Sequence, residues 1–219
     1  MNDAFVNING DSMQTLELLF LLTLISLLPS ILMVMSSFTR IVIVLSFLRN
    51  AMGLQQTPPN TIIIGISLFL TIFMMSPVIN EINESAYQPY RDQTITQEEA
   101  LDNASGPLKR FMLGQTEQRS LDVFLDISGT EVQEDPENYP MTVVIPAFLT
   151  SELNRAFTMG FLIFVPFLLL DIIVASILMS MGMVMLPPAM ISMPFKLLLF
   201  IVVGGWELVF NTLIRSFNL

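Results

Sequence analysis

Four long apolar runs, parted by two short connectors and one long acidic stretch, set the plan of this chain. The first, Leu16 to Leu48, contains Glu17, Pro29 and Arg40. As one helix it would measure about 50 Å against a hydrocarbon core of about 30 Å, so it either kinks at Pro29 or extends well beyond the bilayer. A connector, RNAMGLQQTPPN, follows. Its Gly53 and Pro58-Pro59 read as a turn, with Thr57 or Asn60 available to cap the next helix. The second run, Thr61 to Val78, has the length of one span, and the two runs read as a helical hairpin.

Residues 80–140 differ in character. They are acidic and turn-rich, end on PENYP, and leave room for two helices near Gly106 to Leu113 and Thr116 to Ile127. Beyond them Ile145, Phe148, Leu149, Leu153, Ala156 and Phe157 recur at helical spacing, with Thr150, Ser151 and Asn154 on the other side. This predicts an amphipathic helix leading into the third run. Glu152 and Arg155 lie three apart on it, and spacing alone favours a solvated pair contributing about 0.2 to 0.5 kcal/mol. The third run continues to Leu186. The fourth, Leu197 to Ile214, carries Glu207 and ends at Arg215.

The predicted fold is therefore an all-α membrane protein: two long helical hairpins made from four kinked hydrophobic runs, with an acidic, partly helical extracytoplasmic segment between them. Residues 1–79 form the N-terminal segment and first hairpin, 80–144 the acidic periplasmic segment, and 145–219 the amphipathic helix and second hairpin with its Met/Pro tip. All three are expected to make one structural unit.

Composition supports the membrane reading. Of 219 residues 53% are hydrophobic and only 13% charged, with a mean hydropathy of +0.68, beyond what a soluble domain carries. With no Cys and no His, the chain cannot supply a thiolate nucleophile, a Ser-His-Asp triad or a zinc or haem site of those ligand types. No cofactor, no metal, no enzymatic activity and no nucleic-acid partner are expected.

Charge sharpens the topology. Residues 80–140 hold 13 acids and 4 bases, net −9, while the rest of the chain is net −1. Arg40 and Arg49 flank the first connector and Lys196 the second, so both hairpin tips are expected to face the cytoplasm, although Arg215 counts against this. The acidic segment and both termini then lie outside. A first span entering from outside normally needs a cleaved signal peptide, and MNDAFVNINGDSMQ has no basic n-region, so Met1 is expected to replace the cleavage point of a longer precursor.

The most unusual stretch runs from Phe157 to Lys196. One acid, Asp171, and one base, Lys196, lie in an otherwise apolar sequence, where a lone charge costs roughly 2.5 to 3.5 kcal/mol in hydrocarbon. A hairpin turning at Met183-Val184 would bring the two level. One turning at Pro187-Pro188 would leave them about 12 Å apart. Pairing within one subunit is thus conditional, and pairing between neighbours of a ring stays open. Four methionines, Met179, Met181, Met183 and Met185, crowd the same stretch. Periodicity favours packing as their role. Met183 and Met185, however, are two apart beside a Pro-Pro helix stop and cannot share one packed face, which suits a deformable seal.

Three segments carry a family resemblance: SSFTRIVIVLSFLRNAMGLQQTPPN (36–60), IPAFLTSELNRAFTMGFLIFVPFLLLDIIVASILMSMGMVMLPP (145–188) and ISMPFKLLLFIVVGGWELV (191–209). Together they resemble the flagellar branch of the FliP/SctR (YscR) family of type III secretion export-gate proteins. The resemblance implies a ring, expected to be a pentamer, assembled with FliQ and FliR beneath the flagellar rod base. FlhB and FlhA would join on the cytoplasmic side, lipid would meet the periphery, and unfolded export substrates would pass through. It also implies an inner-membrane, basal-body location with the hairpins lifted to periplasmic level, which would account for runs too long for one span.

The family's methionine loop falls on Met183, Val184 and Met185, with Val at the middle position where three methionines are commoner. Its paired charges fall on Asp171 and Lys196. Relatives often carry an acid just before the Trp of the last segment, where this chain has Gly205, with Glu207 following Trp206. The expected function is an export-gate subunit with a methionine-lined constriction. The alternative is an ion- or proton-coupled transporter or channel subunit using Asp171. An intramembrane enzyme is the weakest reading, since nothing pairs a nucleophile with a base. Secondary candidates for the site are Met179, Met181, Glu152, Arg155, Pro187 and Pro188.

Overall fold

The computed structural model describes residues 5–8, 11–14, 19, 22–23, 26, 30–31, 33–183 and 185–217. Among these the regular elements are helical, apart from an antiparallel ribbon of β1 (Phe5–Ile8) and β2 (Asp11–Gln14) in which Phe5 lies opposite Gln14. The all-α expectation passed over this ribbon. Its signal is short, for only Val6-Asn7-Ile8 alternates apolar and polar residues, and an Asn-Gly pair follows.

The first apolar run breaks at Met35–Ser37, a point not foreseen, and the foreseen kink at Pro29 lies outside the described residues. Consecutive serines explain the break: the Ser36 hydroxyl accepts from the Phe38 amide at 3.3 Å, a local bond that competes with the helical ladder. Helix α1 (Phe38–Ala51) then buries Phe38, Ile41, Val44, Leu45 and Leu48, a stripe at 3.6-residue spacing that packs mainly on the long helix of the second hairpin. Gly160 of that helix admits the approach, for a Cβ there would stand 2.6 Å from the Phe47 ring.

Helix α2 (Asn60–Arg91) runs well past the predicted span through a wider turn at Asn83–Tyr87. Neither Thr57 nor Asn60 caps it. Pro59 occupies the N-cap, and the Asn60 amide oxygen instead accepts from Arg49 Nη1 at 2.6 Å. The helix is inside out relative to a soluble one. Ser67 and Thr71 face the protein with their hydroxyls bonded to the carbonyls four residues back, while Phe69, Ile72 and Phe73 point outward. Such a face requires lipid or another apolar surface.

Two helices fill the acidic segment, α3 (Gln97–Gln115) and α4 (Gln118–Ser128). The first starts nine residues earlier than expected because Thr96 and Glu99 form a capping box, each side chain bonding the other's amide. The bonds Thr96 donates, from its amide first and then its hydroxyl, hold the Glu99 carboxyl below its ordinary pKa. That stabilisation is complete above the ordinary carboxylate range and is lost as pH falls through the lowered value. Arg110 ties α3 to Glu81 on α2 and to Glu137 at 3.3 Å, and Lys109 donates to the Glu137 carbonyl at 2.9 Å.

Helix α5 (Met141–Ser180) joins the amphipathic segment and the third run into 40 unbroken residues, about 60 Å at helical rise. It stops at Ser180, not Leu186. Helix α6 (Pro188–Val202) follows, and α7 (Gly205–Arg215) leaves it at 66°, so the fourth run is two helices rather than one. Gly204 makes the corner at φ +64°, a left-handed conformation that glycine adopts without strain. Gly205 is needed for a different reason: a Cβ there would meet the Phe200 ring at 2.1 Å. Among the described residues, α2 and α5 are long and apolar enough to cross a membrane, and the bent α6–α7 pair makes a third if counted as one span.

Candidate functional site

The tip of the second hairpin is built by a stop and a start. At the end of α5 the Gly182 amide bonds the Met179 carbonyl at 3.0 Å and the Met183 amide reaches back to the Leu178 carbonyl at 3.0 Å, with Gly182 at φ +76°. This is a Schellman stop, and only a residue free of Cβ strain fits its left-handed position comfortably. Pro187 then takes the N-cap and Pro188 the first turn of α6, where a missing N–H removes nothing. The Pro-Pro pair therefore opens a helix rather than ending one, correcting the sequence reading.

The first hairpin uses the same grammar. The Gly53 amide bonds the Asn50 carbonyl, the Leu54 amide bonds the Arg49 carbonyl, and Pro59 precedes α2. Each tip reads Met-Gly, a short loop, then Pro-Pro, a likeness too short to register as a sequence repeat.

Because α5 ends at Ser180 and α6 begins at Pro188, Asp171 and Lys196 come level. Lys196 Nζ stands 2.6 Å from Asp171 Oδ2, and the Ser192 hydroxyl donates to Asp171 Oδ1 at 2.5 Å. Lys196 also donates to the Ala51 carbonyl at 3.2 Å, the last residue of α1, where the helix dipole and an otherwise orphaned acceptor both favour a cation. Lys196 is 5% exposed and Asp171 29%. This lysine thus joins three helices, and the contact to α1 was invisible to any count of residues along the second hairpin.

Beyond this anchor the methionines project. Met185 is 98% exposed and Met183 37%, with Met179 and Met181 also exposed. Val184 lies outside the described residues. Pro187 and Pro188 frame the loop, and the Pro187 carbonyl accepts from the Met190 amide at 3.1 Å in the first turn of α6.

A second ionic cluster lies at the other end of α5. Glu152 and Arg155 do not form the solvated pair that their spacing favoured. Glu152 is fully buried and takes both arms of the Arg40 guanidinium, one of them at 2.8 Å. Arg40 also donates to the Ser216 carbonyl at 2.7 Å and to the Ser216 hydroxyl at 3.0 Å, and lies 3.7 Å from the centre of the Phe217 ring. Arg155 turns to Glu117 at 3.5 Å and Gln115 at 3.4 Å. The Ser151 hydroxyl accepts from the Glu117 amide at 2.9 Å, so the hinge between α3 and α4 is stapled here as well. The missed signal was local: Glu152 falls four after Phe148 and four before Ala156, inside the apolar stripe rather than opposite it.

Comparison with known proteins covers nearly the whole chain. The FliP family model matches residues 21–213. The Flagellar biosynthetic protein FliP of Bacillus subtilis is 48% identical over 222 residues, 99% of this chain and all of that protein. The protein of the same name from Borreliella burgdorferi is 48% identical over 99% of this chain and 88% of its own length. That of Caulobacter vibrioides is 46% identical over 100% of this chain and 84% of its own.

Proposed function

The chain belongs to the FliP family, and from that premise we propose that it is a subunit of the flagellar type III export gate, in which a ring of second-hairpin tips closes the conduit for unfolded proteins. The observation that carries the reading is the exposed methionine tip above an ion-paired base. Flexible thioether side chains with no fixed partner can close around many different substrates and relax afterwards. When idle, a ring of them dewets and blocks ions without a charged plug. FliQ and FliR complete the ring assembly in this proposal, with FlhB and FlhA at its cytoplasmic face. The outward apolar faces of α2 and α5 supply surface for neighbouring subunits and lipid. The transporter alternative is weakened because Asp171 already holds Lys196 and Ser192, leaving it poorly placed to load and release a cation.

Truncating the tip tests the seal. Met183→Ala with Met185→Ala is expected to leave the assembled complex in normal yield, because these side chains add little packing, and to open a leak to ions and small molecules. A tight, assembled double variant removes the seal, and a disassembled one assigns the methionines to packing instead.

The acidic segment is proposed to lie on the periplasmic side, around the neighbouring subunit or the rod base. Ser128, exposed at the end of α4, offers a reporter in this Cys-free chain. Ser128→Cys is expected to react with an impermeant thiol reagent supplied from the periplasm, whereas reaction only from the cytoplasm overturns the orientation.

A further inference from the structure

All sulfur in this chain resides in 16 methionines. The fold sorts them sharply. Met52, Met74 and Met112 are at most 2% exposed, while Met179, Met181 and Met190 are each about two-thirds exposed and Met185 reaches 98%. Thioether oxidation needs direct approach of the oxidant to a sulfur lone pair, so it follows exposure. The Schellman stop at Gly182 and the Pro187 start hold the loop away from the helix pair, leaving the tip methionines uncovered.

We propose that Met181 and Met185 are sites of reversible oxidation by peroxides, and that their sulfoxides unseal the constriction. The inference rests on the reading of the tip as a seal. In the reaction the sulfur lone pair attacks one oxygen of hydrogen peroxide; the S–O bond forms as the O–O bond breaks. Sulfur is oxidised by two electrons, and the leaving hydroxide takes the proton from the transferred oxygen and departs as water. Methionine sulfoxide reductases reverse the change at the expense of thiols. A sulfoxide is polar and a strong hydrogen-bond acceptor, so each one added to a dewetted ring gives water a partner where none existed.

The test uses membrane vesicles carrying the assembled complex, treated with hydrogen peroxide while ion conductance is followed and sulfoxides are mapped by mass spectrometry. Met185 and Met181 are expected to oxidise about tenfold faster than Met74 and Met112. Conductance should rise in step and fall again on treatment with methionine sulfoxide reductase. Met181→Leu with Met185→Leu removes the sulfur at both proposed sites while Met179, Met183 and Met190 keep theirs, and its peroxide-induced rise in conductance, scaled to its own untreated leak, is expected to be several-fold smaller than the parent's. Even oxidation of exposed and buried methionines, or protection of Met181 and Met185, overturns the sites. Oxidation of the tip with unchanged conductance, in a complex that the alanine pair at 183 and 185 does make leaky, overturns the unsealing while the seal stands. If neither peroxide nor the alanine pair opens the complex, the seal and the inference fall together.

Discussion

Arg40→Ala is expected to lower the apparent unfolding temperature of the purified protein by roughly 6 to 20 °C, following from about 3 to 5 kcal/mol for leaving one member of a buried ion pair unpartnered. The size of the effect comes from geometry. Both side chains of the Arg40–Glu152 pair are fully buried, so neither charge can turn to water when its partner is lost. The guanidinium also serves as the receptor for the end of α7, bonding Ser216 and lying against Phe217. Arg40→Lys is expected to rescue little, because an ammonium cannot grip Glu152 with two arms and still reach the Ser216 carbonyl. Replacing both charges, Arg40→Met with Glu152→Leu, should recover much of the loss, since apolar substitutes of similar volume remove the desolvation cost from both sides. Melting of Arg40→Ala within 2 °C of the parent would show that water reaches this cluster and that the pair stabilises nothing.

The second large effect is at Asp171 and Lys196, and it is expected to be asymmetric. Asp171→Ala leaves a nearly buried ammonium with only the neutral Ala51 carbonyl, whereas Lys196→Met leaves a carboxylate that still accepts from Ser192 and retains more exposure. The first should therefore reduce assembled complex more than the second. Joint replacement, Asp171→Leu with Lys196→Met, should cost less than the sum of the single changes, with a coupling of about 2 kcal/mol. Strict additivity in that cycle would dissolve the pair. The charge swap, Asp171→Lys with Lys196→Asp, is a poor substitute for the cycle. It aims a carboxylate at the Ala51 carbonyl and is expected to fail even though the pair is real.

The mainly helical class and the two helices long and apolar enough to span were legible because hydrocarbon enforces length and apolarity, and Leu, Ile, Phe and Val report both directly. What sequence could not weigh was competition within the runs. Ser36 against the helical ladder moved the first break and Gly204 broke the fourth run, while in the acidic segment the Thr96–Glu99 capping box, a signal present in the sequence, started α3 early. The charged residues divide in the same way. Asp171 and Lys196 stand out against apolar neighbours, so their placement could be framed as a count along one hairpin. Glu152 pairs with a residue 112 positions away, and its near neighbour Arg155 offered a simpler local partner that the fold does not use. Ala51 presents only a backbone carbonyl, and nothing in a side-chain pattern marks it as a ligand for lysine.

The ring of Phe200 occupies the volume that any side chain at position 205 would need, and it stacks edge-on against Trp206 at 5.3 Å. Positions 200 and 205 therefore constitute a single steric choice. A chain that places an acid immediately before this tryptophan must first displace the phenylalanine ring, and with it the aromatic contact packed at the corner between α6 and α7. Grafting an acid at 205 alone would thus force a shift at this corner, at the start of the helix whose Ser216–Phe217 end Arg40 holds, before adding any charge-specific role. Substitutions borrowed from a relative at this corner are transferable only in pairs.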